Sequence, residues 1–175
     1  ELVSGLLFTS NFLDQDNIQR TQTTNTRQIE IDAKRRSALD LFSQYNLLGD
    51  SYEFNIGARG QYDSDFGFFA SPSVNSYFDI GLSKANTLKF RNSIATGYRA
   101  PNLKERFYSL VNPSLNYAVQ GNADLRPESS ISFQSGVQLL NSEMNSNLTL
   151  NIFYNQIFDM IATSIVSLNT NEMLF

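Results

Sequence analysis

Two linked segments decide the fold. The first is Tyr98-Arg99-Ala100-Pro101-Asn102-Leu103-Lys104-Glu105-Arg106-Phe107-Tyr108; the second, after a polar and aromatic middle, is Gly121-Asn122-Ala123-Asp124-Leu125-Arg126-Pro127-Glu128. Together they read as one long surface loop, about 101–128, joining two strands. Pro101 has no N–H for a ladder and stops the incoming strand. Asn102 is a good N-cap, and Glu105 three residues later supplies the other half of a capping box. Leu103, Phe107 and Leu110 then fall on one face of a short helix. Gly121-Asn122 signals a turn, and Pro127 restarts an extended segment.

On both sides the chain alternates. Before the loop, Leu88, Phe90, Ile94, Thr96 and Tyr98 face away from Lys89, Arg91, Ser93 and Arg99. After it, Ile131, Phe133, Val137 and Leu139 alternate with Ser132, Gln134, Gly136 and Gln138, and Leu148, Leu150, Ile152 and Tyr154 with Thr149, Asn151 and Asn155. Further upstream, Tyr52, Phe54, Ile56, Ala58 and Tyr62 oppose Glu53, Asn55, Arg59, Gln61 and Asp63 in the cleanest period of two. Phe68, Ala70, Val74, Phe78 and Ile80 continue the pattern, with Pro72 predicting a bulge or a missing ladder bond. Leu39, Leu41, Tyr45 and Leu47 form a further strand, broken at Phe42, and residues 2–8 another. The polar run of about 14–35 has little to pack a core and reads as a long mobile loop. The region past Ile165 carries no assignable pattern.

The expectation is all-β: an antiparallel up-and-down transmembrane β-barrel segment of about seven strands. Connections after the second, fourth and sixth strands are short, and those after the first and fifth are long, as in barrels with short periplasmic turns and longer external loops. The Asp63–Asp65 turn is a short exception on the long-loop side. Alternation alone also suits a soluble β-sandwich. Aromatic residues near strand ends favour the membrane: Tyr45, Tyr52, Phe78 and Phe90 at one end, Tyr62, Phe68 and Tyr98 at the other. The opposite face is rich in Asn, Gln and Ser and carries charges in pairing positions. A two-residue turn at Gly49-Asp50 sets Asp40 opposite Arg59, and a turn at Ser83-Lys84-Ala85 brings Asp79 near Lys89 and Arg91. Arg99 and Glu128 frame the loop mouth and are expected to approach each other, directly or through Asp124.

Composition closes several doors. The 175 residues carry a net charge of −4, which argues against a nucleic-acid partner. Cysteine and histidine are both absent. The usual nucleophilic triads are therefore missing, and no enzyme, catalytic residue, cofactor or metal centre is expected. Asp14 with Asp16 and Asp63 with Asp65 read as turn carboxylates without EF-hand spacing. Asn147-Leu148-Thr149 matches a glycosylation sequon that a bacterial reading makes accidental. Lys34-Arg35-Arg36 is most simply a membrane-edge charge cluster, with a lipopolysaccharide contact as the alternative.

The Arg99-Ala100-Pro101 strand end and the Gly121-Asn122-x-Asp124-Leu125-x-Pro127-Glu128 strand start together resemble the TonB-dependent outer-membrane receptors, where similar elements bracket an extracellular loop. The likeness extends from about Arg36 to Ile161. It implies that the chain is part of a larger barrel, since transporter-sized barrels have about 22 strands. It also implies an N-terminal plug domain and an energy-coupling box that this sequence does not contain. The lack of a starting Met and signal peptide fits a piece of such a protein.

Location in the bacterial outer membrane follows from the resemblance, with outer-membrane lipid around the barrel and the TonB complex engaging the missing N-terminal region. Function would be active import of a scarce small-molecule ligand, a ferric siderophore or cobalamin. Haem stands behind these, because haem receptors with similar motifs commonly carry a His in this loop. Arg99, Asn102, Arg106, Tyr108, Tyr117 and Asn122 are the candidate ligand-facing residues. Arg99, Pro101, Gly121, Asp124, Pro127 and Glu128 bracket the loop. A passive porin-like barrel and a soluble β-sandwich binding domain are the competing classes; an upstream plug would exclude the first, and cooperative folding without detergent would establish the second.

Overall fold

The computed structural model describes residues 1–20, 25–112, 117–167 and 172–174. Seven long strands form one antiparallel sheet: β1 (Leu2–Arg20), β2 (Asn25–Leu48), β3 (Tyr52–Asp63), β4 (Gly67–Gly81), β5 (Asn86–Arg99), β8 (Glu128–Asn141) and β9 (Ser146–Phe158). They pair in that order, and the sheet is open, with β1 and β9 at its edges. Between β5 and β8 lie α1 (Leu103–Phe107), β6 (Ser109–Asn112) and β7 (Tyr117–Gln120). After β9 come β10 (Ser164–Ser167) and β11 (Glu172–Leu174). β6, β7, β11 and β10 make a second, small sheet in which β11 runs parallel to β7.

One face of the large sheet is uncovered grease. Ile56 and Ile152 are 54% and 59% exposed, and Phe68, Tyr62 and Phe8 are exposed beside them. A soluble sandwich would cover these side chains, so that alternative fails. The buried apolar side chains among the described residues are few: Ile31, Ala38, Leu103 and Val119. Between the aromatic rows at Tyr52 and Tyr62 the strand climbs ~25 Å at the usual rise and tilt, the height of a barrel's apolar band.

The other face is polar and cross-linked. Gln44 and Asn55 both donate to Asn46 Oδ1, and Asn75 donates to Asn55. Lys89 meets Asp79 at 3.3 Å, directly opposite in the ladder, whereas Arg91 lies opposite Tyr77 and stands over its ring. Phe42 shares this face, opposite Arg59, and its ring lies against Gly5.

Several expectations need correction. The polar run of about 14–35 is largely paired strand. β1 and β2 continue their ladder as a long hairpin, with Gln15 donating to Glu30 and Arg27 paired with Asp16. Its residues are mostly polar and show no sustained apolar period, so the hairpin mimicked a loop. The connection from β2 to β3 is longer than two residues, since Leu48 pairs with Glu53. Arg59 therefore sits opposite Phe42 rather than Asp40. It still reaches Asp40 diagonally, Nε at 3.0 Å and Nη2 at 2.9 Å, because a shift of two keeps both side chains on one face. Leu110 belongs to β6, not to the helix.

Pro72 causes no bulge against β3, where it pairs with Ala58. The β4–β5 ladder, however, ends at Ser73–Ala95, one residue short of Pro72. The two strands part above that point. Tyr98 fills the opening and stacks on Phe69 with ring centroids 3.7 Å apart. It is thus not the headgroup-facing girdle residue its parity predicted.

Candidate functional site

The connection between β5 and β8 folds back over the polar face of the sheet, and its base is built from a few local rules. β5 ends at Arg99, before Pro101. Asn102 caps α1: its side chain accepts from Glu105 N at 2.8 Å, and Glu105 returns a bond to Asn102 N at 2.8 Å. Leu103 is buried beneath the helix. Gly121 donates to the Tyr108 carbonyl at 2.7 Å and Asn122 to the Glu105 carbonyl at 3.0 Å, so the far end of the loop is tied to the helix. A Cβ on Gly121 would stand 2.7 Å from the Arg106 carbonyl carbon, closer than a side chain tolerates. Asn122 closes its own turn by accepting from Asp124 N at 2.9 Å. β8 starts directly after Pro127.

Charges lock this base in place. Arg99 and Glu128 are ladder partners and meet at 2.5 Å. The third member of the group is Glu105, 3.0 Å from Arg99, and not Asp124. Glu128 also accepts from Ile161 N at 2.6 Å, which joins the connection after β9 to the same cluster. Deeper in, Arg36 of β2 bonds Asp63 through Nε at 2.7 Å and Nη2 at 2.6 Å, and donates through Nη1 to the Pro101 carbonyl at 2.7 Å. Asp63 is wholly buried. A buried ion pair holds only when hydrogen bonds compensate the lost hydration, and Asp63 gains another from Asp65 N at 2.9 Å.

Arg106 completes the lock. It pairs with Asp65 and lies between the Phe66 and Phe107 rings, 4.8 and 4.6 Å from their centroids. Lys34 stands over the other ring of this column, Phe107, at 5.2 Å, and Arg36 over Phe66 at 5.7 Å. Cations and rings thus alternate from Lys34 to Arg36 across three parts of the chain. Partial burial of Asp65 works against its ionisation, but bonds from Arg106 and Ser64 and the charges of Arg106 and Arg36 outweigh this and hold its carboxyl below the ordinary value.

Away from the lock, on the polar face nearer the short turns, Glu53, Asn55, Asn75, Tyr77 and Arg91 line an open concavity of about 570 Å³. The loop borders a separate, open concavity of about 530 Å³, lined by Arg106, Phe107, Tyr108, Gln120, Gly121 and Asn122. A third, of about 340 Å³, shares Asn122 and lies between Asp124 and Asp159.

Of the predicted ligand-facing residues, the structure gathers Arg106, Tyr108 and Asn122 around the loop cavity. Arg99 and Asn102 are engaged in the ion cluster and the helix cap. Tyr117 lies in β7, and its side chain falls outside the described residues. Sequence reasoning left Phe66 unread, took Arg36 for part of a membrane-edge cluster and Phe107 for a helix-face residue, and read Asp63 and Asp65 as turn carboxylates, with Asp63 also ending a polar strand face. The signal was present in Asp63-Ser64-Asp65 followed by an aromatic, but only the fold brings Lys34 and Arg36 to it.

The family described as "TonB dependent receptor-like, beta-barrel" matches residues 3–172. Among solved structures, the siderophore receptor PirA from Pseudomonas aeruginosa is similar at 22% identity and a TM-score of 0.67, over 99% of this chain and 29% of that one. The siderophore receptor PirA from Acinetobacter baumannii is similar at 27% identity and a TM-score of 0.58, over 78% of this chain and 20% of that one. The chain therefore spans less than a third of the length of these receptors. No curated protein matches it.

Proposed function

The chain belongs to the TonB-dependent receptor-like β-barrel family, and from that premise we propose that it forms part of the barrel of a bacterial outer-membrane receptor for TonB-energised import of a ferric siderophore. The family is one of receptors and transporters rather than enzymes, and its barrels lie in the bacterial outer membrane. In this reading the exposed apolar face meets lipid, the polar face lines the lumen, and the connections after β1, β3, β5 and β9 open outside the cell. The energy-coupling contact with the TonB complex lies in the part of the receptor outside this chain.

The observation that carries the reading is the loop cavity bounded by Arg106, Tyr108 and Asn122, held at the barrel mouth by the ion cluster beneath it. Its walls offer an aromatic ring, an amide and a cationic neighbour, a set suited to an oxygen-rich anionic chelate. Two siderophore receptors among the similar structures put that class ahead of cobalamin. Tyr108 and Asn122 are the proposed contacts; Arg99, Pro101, Gly121, Asp124, Pro127 and Glu128 shape the mouth.

Uptake decides it. A strain lacking the full-length receptor, supplied with labelled iron on a panel of siderophores and separately with labelled cobalamin, should lose transport of one ferric siderophore and keep cobalamin. Restoration by the wild-type gene, with Tyr108→Ala and Asn122→Ala lowering apparent affinity, is the expected outcome. Loss of cobalamin transport instead would reassign the ligand, and unchanged transport of everything would overturn the import reading.

A further inference from the structure

The basic triplet Lys34-Arg35-Arg36 does not act as one cluster. Lys34 stands over Phe107 and Arg36 is bound to Asp63, so both are consumed beneath the loop. Arg35 has the opposite parity. It shares its face with Ser37 and Leu39, and Leu39 pairs with Tyr62 and Phe8 on the lipid side. Arg35 is exposed and has no carboxylate partner among the described residues; its Nε donates to Ser10 Oγ at 3.2 Å. Ser37 donates to the same Ser10 oxygen at 3.3 Å. Below this polar trio lies an exposed aromatic row of Phe8, Tyr62 and Phe68.

Depth fixes what meets it. Arg35 lies four residues beyond Leu39, about 10 Å further from the membrane centre at the usual strand rise and tilt. That is the headgroup zone just outside the hydrocarbon boundary. A guanidinium there, with unused N–H donors in a fork and two hydroxyls beside it, matches the tetrahedral oxygens of a phosphate. The aromatic row beneath would take the acyl chains of the same molecule.

We infer that Arg35, Ser10 and Ser37 form an outward-facing site for the phosphate of an outer-leaflet lipid. The site rests on the outer-membrane reading but not on the imported ligand. It holds a phosphorylated glycolipid against the rim of the β1–β2 hairpin and fixes the height at which the barrel sits.

The test uses the full-length receptor, purified in mild detergent and titrated with diphosphoryl lipid A, with dephosphorylated lipid A as control, bound lipid being counted by native mass spectrometry. Arg35→Gln should weaken diphosphoryl lipid A binding about fivefold, the factor one basic residue contributes at an anionic surface. Arg35→Lys should keep most of it, and neither variant should alter binding of the dephosphorylated lipid. Equal binding by wild type and Arg35→Gln would overturn the site, as would an equal loss for both lipids. Heat-modifiable migration of each variant reports that the barrel is folded. Siderophore uptake by the Arg35→Gln receptor separates the two readings: normal uptake with lost lipid A binding supports the site, whereas failed uptake in the wild type bears only on the import reading.

Discussion

Arg36 bonds Asp63 twice and the Pro101 carbonyl once, and Asp63 beneath it is sealed from water. Removing one member of such a pair leaves the other charge buried alone. Arg36→Ala should therefore destabilise the folded receptor by ~3–5 kcal/mol, read by urea unfolding in detergent. Gly121→Ala should act through backbone collision, because the Arg106 carbonyl that a Cβ would strike belongs to the tied helix. A loss of ~1–3 kcal/mol is expected, with faster hydrogen exchange over residues 103–112. Asp65 contributes to the acid limit of the lock. Its folded-state carboxyl is held below the ordinary value of 3.8, so its contribution is present above that value and disappears as the pH falls through the lower, folded one. Protease access to residues 101–112 should stay constant from neutral pH down to about pH 4 and rise only in stronger acid. Asp65→Asn should reduce that rise, the remainder coming from Glu128, which Arg99 also holds below its ordinary value.

At the scale of elements, the helix start was legible and its surroundings were not. Asn102 and Glu105 announced the capping box because both partners lie within one turn. Asn102→Ala should cost about 1 kcal/mol, seen as earlier exchange of the α1 amides. The helix ends at Phe107 because Tyr108 takes an extended backbone and its N–H bonds back to Lys104. Leu110 was assigned to that helix because its spacing fits, but Gly121 draws the chain into the β6–β7 hairpin instead. The β1–β2 hairpin was illegible for a related reason. Its cross-strand bonds, such as Gln15 to Glu30, join residues whose polarity looks like loop. Pro72 shows the reverse case: the missing N–H was evident in sequence, but whether the ladder would bulge or part depended on β5.

For the whole molecule the physical question is which face meets lipid. Ile56 and Val74 are cross-strand partners on the apolar face, near the middle of the band, and both are exposed. Ile56→Arg should destabilise the barrel in a bilayer by ~2–4 kcal/mol, whereas Asn55→Arg on the polar face should have a far smaller effect. Folding titrations of the full-length receptor into vesicles distinguish the two. The open edges of β1 and β9 expose a row of unpaired backbone groups, which neither lipid nor water tolerates well. The 175-residue chain on its own should therefore self-associate in detergent, while the complete barrel migrates as a heat-modifiable monomer; size-exclusion chromatography and gel migration check both.

The sequence by itself determined the strand faces, because a period of two is a local property and survives register errors of two residues. It determined the loop boundaries as well, through Pro101 and Pro127, whose backbone chemistry acts on the spot. Only the tertiary structure decided which charges meet. Arg36, Asp63, Asp65 and Arg106 are brought together by strand register and by the fold of the loop over the sheet, and neither is written in any one segment. The same holds for Lys34, Arg35 and Arg36: three adjacent cations in the chain become two inward locks and one outward contact, because strand alternation sends neighbours to opposite sides.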